Sequence, residues 1–486
     1  MPDFGFVGAA YQALSPTQDA QECINFYPEV DATDFAGSKA TGVPPQRGVI
    51  ALYPCPGLTQ LCQLTPISQV RGGRVIPGGQ TLYVVCGSNL YAVTLSFIAT
   101  VVGTLNTTTG PVSITDNGVS LYLCDGPNRY FYTWGTNTFS VVSDGAFNGA
   151  NHVDIVDNFI VYNNPNSNEF GCTNVGSVVS GLTNFATTLV GPGNHVGLIC
   201  DHRQVFLFGE RTSEVWIDVG SFPFPFAIIP GTSMQHGCAA IGSIARLGES
   251  FAMLVQDDRG QNIVITMSGY SPVRISTHAI EQAISKYSIV SDAVAFTYQQ
   301  NGHEFYMLTF PTADITWCYD LATQLWHRRA SMDSEGVLHR HRANCCFIFG
   351  GNVVVGDYAN GKLYKFDLTN FTDNGTTILC KRRARHLTTD LKRQYFHDLQ
   401  LQFQPGVGLS TGQGSNPQAI LKWSDDGGFT WSNEHWTSIG QMGQYKNRAI
   451  WRRLGWARDR IFEVTITDPV FRTIISAELN ASPGVN

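Results

Sequence analysis

The chain reads TLYVVCGSNLYAV over residues 81–93, and this stretch sets a pattern that returns along most of its length. Two short runs of β-branched and aromatic residues flank a Gly-Ser-Asn turn, which predicts two antiparallel strands joined by a tight hairpin. A second hairpin follows at residues 121–134, where LYLC and YFYTW flank an Asp-Gly-Pro-Asn turn. The repeating unit is therefore a hairpin of strands.

Similar strand starts recur further along the chain, at Phe159, Gln204, Phe251, Glu304 and Cys346. Their spacing of about 40 to 50 residues matches one four-stranded propeller blade. Several units also end in a strand that carries a Trp, as the stretch from Trp317 to Trp326 does. We therefore expect an all-β protein with a β-propeller of six or seven blades over residues 61–378. A β-sandwich, or a pair of them, is the alternative that short strands and frequent turns also allow.

Composition supports a strand-rich protein that is poor in charge. Hydrophobic residues make up 43% of the chain and charged residues 14%, against roughly 25% charged in an average soluble domain. The net charge of −7 is uneven, because residues 379–486 hold 14 Lys and Arg against 9 Asp and Glu, or +5. This polarity favours stacking against an oppositely charged partner.

The cysteines and the N-terminus predict a protein made in a reducing cytoplasm. Most of the 12 cysteines lie within strand-like runs, as Cys86, Cys124, Cys318 and Cys346 do, which is typical of small buried hydrophobic residues. No apolar run is long enough to span a membrane. The first residues also lack the basic and apolar regions of a secretory signal.

Two regions flank the predicted propeller. Residues 1–60 contain repeated prolines, which favours an extended N-terminal arm that binds a neighbouring subunit, with a disordered leader as the alternative. Residues 379–486 resume the alternating pattern, which predicts a separate β-sandwich-like domain with a flexible glycine-rich loop at 406–415. A single helix is predicted to begin after Ser276 or Thr277, where apolar residues follow helical spacing.

The sharpest local motif is an Asp-box, SDDGGFTW at residues 424–431. Its fixed positions are Ser424, Asp426, Gly428 and Trp431, together with Thr430. We expect a structural turn, in which the carboxylate accepts backbone N–H bonds and the Trp packs below the hairpin. Asp-boxes recur in sialidase propellers, so a glycosidase is an alternative. No pair of carboxyls or other catalytic set can be identified, and we expect no catalytic residues and no cofactor.

A basic cluster provides the candidate contact with nucleic acid or a partner. Lys381, Arg382, Arg383 and Arg385 lie together in the sequence, and further arginines follow at 452–460. Scattered cations suffice for non-specific contact with a DNA duplex in a channel, whereas a solvated face is the simpler interpretation.

One further run combines His and Cys side chains, LHRHRANCC at residues 338–346. It matches the paired spacing of zinc ligands poorly, so we expect no metal site.

Short motifs in the same order along the chain resemble the packaged-DNA stabilisation proteins of short-tailed phages, the tail hub or nozzle family. The first is NFYPE at residues 25–29. The others are residues 209–216, 223–226, 269–278, 302–306, 310–311, 317–326, 423–431, 452–455 and 468–469. The resemblance spans most of the chain and is weakest over about residues 60–200.

This resemblance implies a structural virion protein that is assembled in the host cytoplasm into the phage tail, as a homohexamer. It implies a position below the portal and its adaptor ring, where the ring closes the DNA channel. The expected partners are tailspikes or tail fibres, a tail needle or plug, and channel DNA bound without sequence specificity. The family supplies no catalytic residues. A glycosidase or glycan-binding adhesin remains the alternative class.

Overall fold

The computed structural model describes residues 5–30, 49–189, 191, 193–257 and 260–484, and strands dominate them. Five strands precede the first complete blade of a propeller. They are β1 (Tyr11–Gln12), β2 (Ala20–Ile24), β3 (Phe26–Val30), β4 (Val49–Pro54) and β5 (Gly57–Gln63).

Four antiparallel sheets of four strands each follow in chain order. Blade 1 consists of β6 (Val70–Val75), β7 (Thr81–Cys86), β8 (Asn89–Thr94) and β9 (Ala99–Thr104). Blade 2 consists of β10 (Ser113–Asp116), β11 (Ser120–Cys124), β12 (Arg129–Thr133) and β13 (Thr138–Val142). Blade 3 consists of β14 (Val153–Val156), β15 (Phe159–Asn163), β16 (Glu169–Cys172) and β17 (Phe185–Thr187). Blade 4 consists of β18 (His195–Asp201), β19 (Gln204–Gly209), β20 (Ser213–Asp218) and β21 (Phe226–Ile228).

Three further blades are less regular. Blade 5 consists of β22 (Gly237–Cys238), β23 (Ala245–Leu247), β24 (Ser250–Gln256), β25 (Asn262–Ser268) and β26 (Ser271–Arg274), with a 3₁₀ turn at Ile241–Ser243. Helix α1 (His278–Ser285) leads to blade 6, which consists of β27 (Val294–Gln300), β28 (His303–Phe310), β29 (Ile315–Asp320) and β30 (Leu325–Met332). After β31 (Leu338–Arg340), blade 7 contains β32 (Ala343–Phe349), β33 (Asn352–Asp357) and β34 (Lys362–Asp367).

Blade 7 is completed by a strand from the other end of the propeller sequence. Strand β5 pairs antiparallel with β34, from Lys362 opposite Gln63 to Asp367 opposite Gly57. This pairing joins the first and last parts of the propeller and closes the ring. The innermost strands of successive blades lie side by side, and β32 of blade 7 contacts β6 of blade 1.

Apolar faces of neighbouring blades form the propeller core. Between blades 1 and 2, for example, buried side chains of Val85 and Leu90 lie in one cluster with Leu121 and Leu123. Burying such side chains stabilises a blade only when its neighbour is present, at about 25 cal/mol per Å² of apolar surface. The ring is therefore stabilised by contact between blades.

The remaining strands complete blade 7 and build a sandwich of two sheets. Strands β35 (Thr372–Asp373) and β36 (Thr376–Thr377) belong to the sheet of blade 7. The sandwich strands that follow are β37 (Cys380–Arg383), β38 (Leu387–Thr388), β39 (Gln394–Phe403), β40 (Gln418–Ser424), β41 (His435–Ser438), β42 (Ala449–Ala457), β43 (Asp459–Ile466) and β44 (Ile474–Pro483). One sheet has the order β3-β4-β44-β39-β42, and the other contains β37-β43-β40-β41. The core between them includes Phe396, Leu399, Leu421 and Val464.

The N-terminal strands join the sandwich to the propeller. Strand β2 pairs antiparallel with β37 and forms a parallel bridge from Ile24 to Arg328 of blade 6. Blade 6 and one sandwich sheet thereby become parts of a single twelve-stranded sheet. The described part of the predicted arm is extended, but within this chain it is built into both domains. Residues 1–4 and 31–48 of that prediction lie outside the described residues.

The all-β fold, with a propeller followed by a β-sandwich, is confirmed, and the described residues form seven blades. Five of the seven predicted starts lie in the second strands of blades 1, 2, 3, 4 and 6. Phe251 lies in β24, the third strand of blade 5 along the chain, and Cys346 lies in the first strand of blade 7. The helix begins where predicted, with Thr277 as its N-cap. All 12 cysteines are free thiols, and Cys86, Cys124 and Cys318 are buried while Cys346 is half-buried.

Candidate functional site: the N-terminal strands between propeller and sandwich

Asn25 connects the two domains at the point where β2 gives way to β3. Its side-chain amide donates to the backbone carbonyls of Ala330 in blade 6 and Leu379 beside β37, both at 2.8 Å. Its Oδ1 accepts from the amide of Ala330 at 2.9 Å. The residue is buried and has a positive φ of 55°, a conformation that Asn tolerates better than most residues. Asn25 therefore holds blade 6 and the sandwich together.

A second connection runs from β3 to blade 6 through His303. Its Nε2 lies 2.9 Å from Glu29 Oε2, and its Nδ1 lies 2.8 Å from Asp320 Oδ2. The hydrogen bond to Asp320, with a smaller contribution from Glu29, raises the pKa of His303 against the opposing effect of burial. Asp320 is fully buried and also accepts from Thr323. The imidazole thus ties an N-terminal carboxylate to a carboxylate of the propeller.

Arg382 of the predicted basic cluster lies inside this junction. Its guanidinium donates to the backbone carbonyls of Phe6 at 2.6 Å, Ala9 at 2.8 Å and Glu22 at 3.3 Å. It also donates to the side-chain oxygen of Gln21 at 2.7 Å. Burial lowers the pKa of Arg382 to about 10. Because the side chain is fully buried, Arg382 is not exposed to a phosphate group and instead holds the N-terminal segment.

The neighbouring cations of the cluster lie in cross-strand ion pairs. Arg383 Nη2 lies 2.7 Å from Glu463 and 3.4 Å from Glu22, and Lys381 Nζ lies 3.5 Å from Glu463. Strand β37 runs between β2 and β43, which places both carboxylates beside these cations. Arg385 is exposed and approaches Gly5. Contact of Lys381, Arg383 or Arg385 with DNA stays a prediction.

The Asp-box forms the turn expected from its sequence. Asp426 accepts from the backbone amides of Phe429 and Thr430 and from the Thr430 hydroxyl at 2.6 Å. Ser424 Oγ binds the amide of Gly428 at 2.8 Å, and Gly428 has a positive φ. Hydrogen bonds from Thr430 lower the pKa of Asp426 to about 2. The carboxylate is therefore an acceptor within its own turn.

The Asp-box and the basic cluster meet in space. The Arg383 guanidinium lies 4.6 Å from the centre of the Trp431 ring. Asp425, inside the same box, accepts from Nε and Nη2 of the buried Arg460 at 2.6 and 2.7 Å. Gly427 packs against Thr17 of the N-terminal segment. The two motifs, distant in sequence, thus form one corner of the sandwich that contacts the N-terminal segment.

The axial channel of the propeller holds another polar group of residues. Residues of blades 1, 2, 3, 5, 6 and 7, on or beside their innermost strands, line a cavity of about 690 Å³. Among them, Arg71 donates to the carbonyls of Gly87, Thr107, Thr109 and Gly110, so that its guanidinium supports loops.

The histidines of the 338–346 run have partners away from the adjacent cysteines. His339 lies between Asp314 at 2.6 Å and Asp333 at 3.1 Å, and His341 is buried and accepts from the amide of Ala343. Among the described ranges, no cluster of three or more His, Cys, Asp and Glu has the geometry to hold a metal ion.

The architecture combines a closed propeller with a sandwich, and the two share a sheet. The family model described as "Bacteriophage P22 Gp10, beta-propeller" matches residues 44–371, and that described as "Bacteriophage P22 Gp10, beta-sandwich" matches residues 381–482. The chain belongs to this family, and it is a tail hub or stabilisation protein of the phage virion.

Several solved structures are similar to this chain at low sequence identity. A chain of the mitotic checkpoint complex is 11% identical, with a TM-score of 0.41 over 64% of this chain and 90% of that chain. U3-55K has 11% identity and a TM-score of 0.39 over 64% and 100% of the respective chains. The N-terminal domain of Nup159 has 10% identity and 0.40 over 64% and 94%. No curated protein matches the sequence. In the described part of the chain, no helix is both long and apolar enough to cross a membrane.

Two of the residues at this junction lie in short sequence motifs whose contacts the sequence did not predict. NFYPE contains Asn25 and Glu29, and residues 302–306 contain His303. For Asn25, which lies between Ile24 and Phe26, a polar residue amid apolar neighbours was the available signal, because such a residue is buried only when it finds a partner.

Proposed function

We propose that this tail hub protein retains packaged DNA by closing the tail channel as a homohexamer below the portal and its adaptor ring. The twelve-stranded sheet that runs from blade 6 through β2 into the sandwich supports this proposal. A subunit in a ring under internal pressure must transmit force between its domains without separating. Paired strands and buried Asn25 meet that requirement, whereas a flexible linker would not.

The same rigid body suits the other expected partners. We propose that the subunits also anchor tailspikes or fibres and receive a tail needle or plug, after assembly in the host cytoplasm. We further propose that the protein performs no catalysis, a view supported by the Asp-box, whose carboxylate is engaged in its own turn. The glycosidase or adhesin alternative stays a prediction. Turnover of fluorogenic sialosides by the purified chain tests it.

The retention of DNA is tested with particles that package their genome without this protein. We expect these particles to lose DNA after packaging, so that nuclease digests the genome, while particles with the protein remain protected. Complementation with the wild-type chain should restore protection. Particles that lack the protein and still keep a nuclease-resistant, infectious genome would refute the proposal. Labelling the chain in virions should also show a six-fold collar on the tail axis.

A further inference from the structure

The sandwich presents a row of cations along its edge strand β42. Arg452 and Arg453 lie in the strand, Arg448 and Arg458 flank it, and Lys446 precedes them. All five are exposed, in contrast to Arg382 and Arg460 of the same domain. Within the described ranges, none of the five takes part in an ion pair or a side-chain hydrogen bond. These five residues, named here the β42 edge, therefore have charges that no ion pair within the described residues compensates.

The local backbone leaves these cationic side chains exposed along the strand. Ala449, Trp451, Leu454 and Ala457 are buried in the sandwich core, and the residues between them are exposed or half-buried. A bulge interrupts the strand alternation, since Phe396 pairs with Gly455 while Asp398 pairs with Arg452. Two residues of β42 then lie opposite one residue of β39. As a result, Arg452 and Arg453 are both exposed although they are adjacent in sequence.

Arg453 adopts a positive φ of 61° at this bulge. Such a conformation is uncommon for a residue with a long side chain, and a glycine or asparagine would adopt it at lower cost. The bulge also ends the regular hydrogen-bonding edge of β42, which lies at the end of its sheet. These features suit a surface that presents side chains rather than one that adds another strand.

The dimensions of the β42 edge fit an extended polyanion. Ten residue steps separate Arg448 from Arg458, or about 30 Å at about 3.3 Å per residue. One turn of duplex DNA spans about 34 Å and carries a phosphate charge about every 1.7 Å. Arginine also binds phosphate oxygens in a bidentate manner. The nearest carboxylate across the strand pair is Asp398, which is half-buried and accepts from Asn480.

We infer that the β42 edge binds the phosphate backbone of duplex DNA without sequence specificity. The inference rests on the proposed DNA-retaining function and gives it a contact surface. Exposed Trp456 and Tyr395 pair across the strands beside this row, and the Arg393 guanidinium lies 4.5 Å from the Trp456 ring. Arg393 thereby adds a further cation beside the row.

The test measures binding of the full chain to a 30-base-pair duplex by fluorescence anisotropy over a series of salt concentrations. The triple variant Arg452→Gln/Arg453→Gln/Arg458→Gln should bind more weakly. The slope of log affinity against log salt should become shallower by about 2.7, at about 0.9 per lost phosphate contact. The matched control is Arg203→Gln/Arg211→Gln/Lys286→Gln, which removes the same charge from exposed propeller positions. It should retain the wild-type slope.

Three results would overturn the inference. The first is that the wild-type chain does not bind the duplex, and the second is that both triple variants weaken binding equally. The third is that the edge variant changes the oligomeric state measured by light scattering while its duplex affinity stays the same. The last result would identify the β42 edge as a contact between subunits. Failure of the retention function is seen separately, because particles without the chain then keep their genome whatever the duplex assay gives.

Discussion

Replacing Arg382 by Met should release the N-terminal segment from the sandwich. The change keeps a long apolar stem but removes the guanidinium that binds three backbone carbonyls and the Gln21 oxygen. Each buried acceptor that loses its partner costs about 1 to 3 kcal/mol. Four acceptors at the lower limit, with water reaching part of the segment, give about 4 kcal/mol.

This free energy corresponds to a roughly thousandfold increase in local opening, since about 1.4 kcal/mol is a factor of ten. Hydrogen exchange of the amides in residues 5–24 measures it directly, and limited proteolysis of the same segment should show earlier cleavage. Lys392→Met is the control, because that cation is largely exposed and lies 3.9 Å from Asp390. Its exchange rates should match the wild type. If Arg382→Met leaves the N-terminal amides as protected as before, the guanidinium does not hold the segment and the reasoning fails.

Three further predictions concern the ring and its junctions. In Gly57→Ala the new Cβ would clash with the Asn370 carbonyl oxygen beside the closing pair β5–β34, so the free energy of unfolding in urea should fall by about 1 to 3 kcal/mol. Gly135→Ala, where the new Cβ meets open space, should leave the free energy of unfolding unchanged. The raised pKa of His303 means that its protonation stabilises the folded state, fully below about pH 6.5 and less as pH rises through the higher folded pKa. Wild type and His303→Gln should therefore differ in melting temperature at pH 6 and have similar melting temperatures by pH 9. An equal difference at both pH values would contradict this. Asp426→Ala should accelerate hydrogen exchange of the Phe429 and Thr430 amides, which donate to the Asp426 carboxylate. An exchange rate equal to that of the wild type would show that this carboxylate does not stabilise the turn.

The local elements of this fold could be predicted because their signals are local. The hairpin at residues 81–93 carries both its strand alternation and its turn residues, and the Asp-box carries its whole hydrogen-bonding set within eight positions. The helix was predictable for the same reason, since Thr277 caps it from the adjacent position. Blade number was ambiguous because blade 7 draws one strand from residues 57–63. A pairing between distant segments leaves no periodic trace in either of them.

The basic cluster shows a different limit of sequence reasoning. Lys381 and Arg383 alternate with Arg382 along β37, so one cation faces the interior and two face neighbouring carboxylates. Buried arginines usually have an acidic partner that can be sought in the sequence. Here the acceptors of Arg382 are mainly backbone carbonyls of residues 6, 9 and 22, which every residue type provides. The exposed arginines near β42 looked similar in sequence, and only burial distinguishes the two groups.

The position of β5 fixes the order in which the ring is completed during synthesis. Thr59 reaches its partner Asp367 across 308 positions of sequence. At the usual 5 to 20 residues per second, the ribosome needs about 15 to 60 seconds to make that interval. Throughout this time β5 has no pairing strand in its own chain, and its unpaired backbone groups are available to other nascent copies. The topology therefore predicts that residues 57–63 stay unpaired within their own chain until residue 367 has been synthesised.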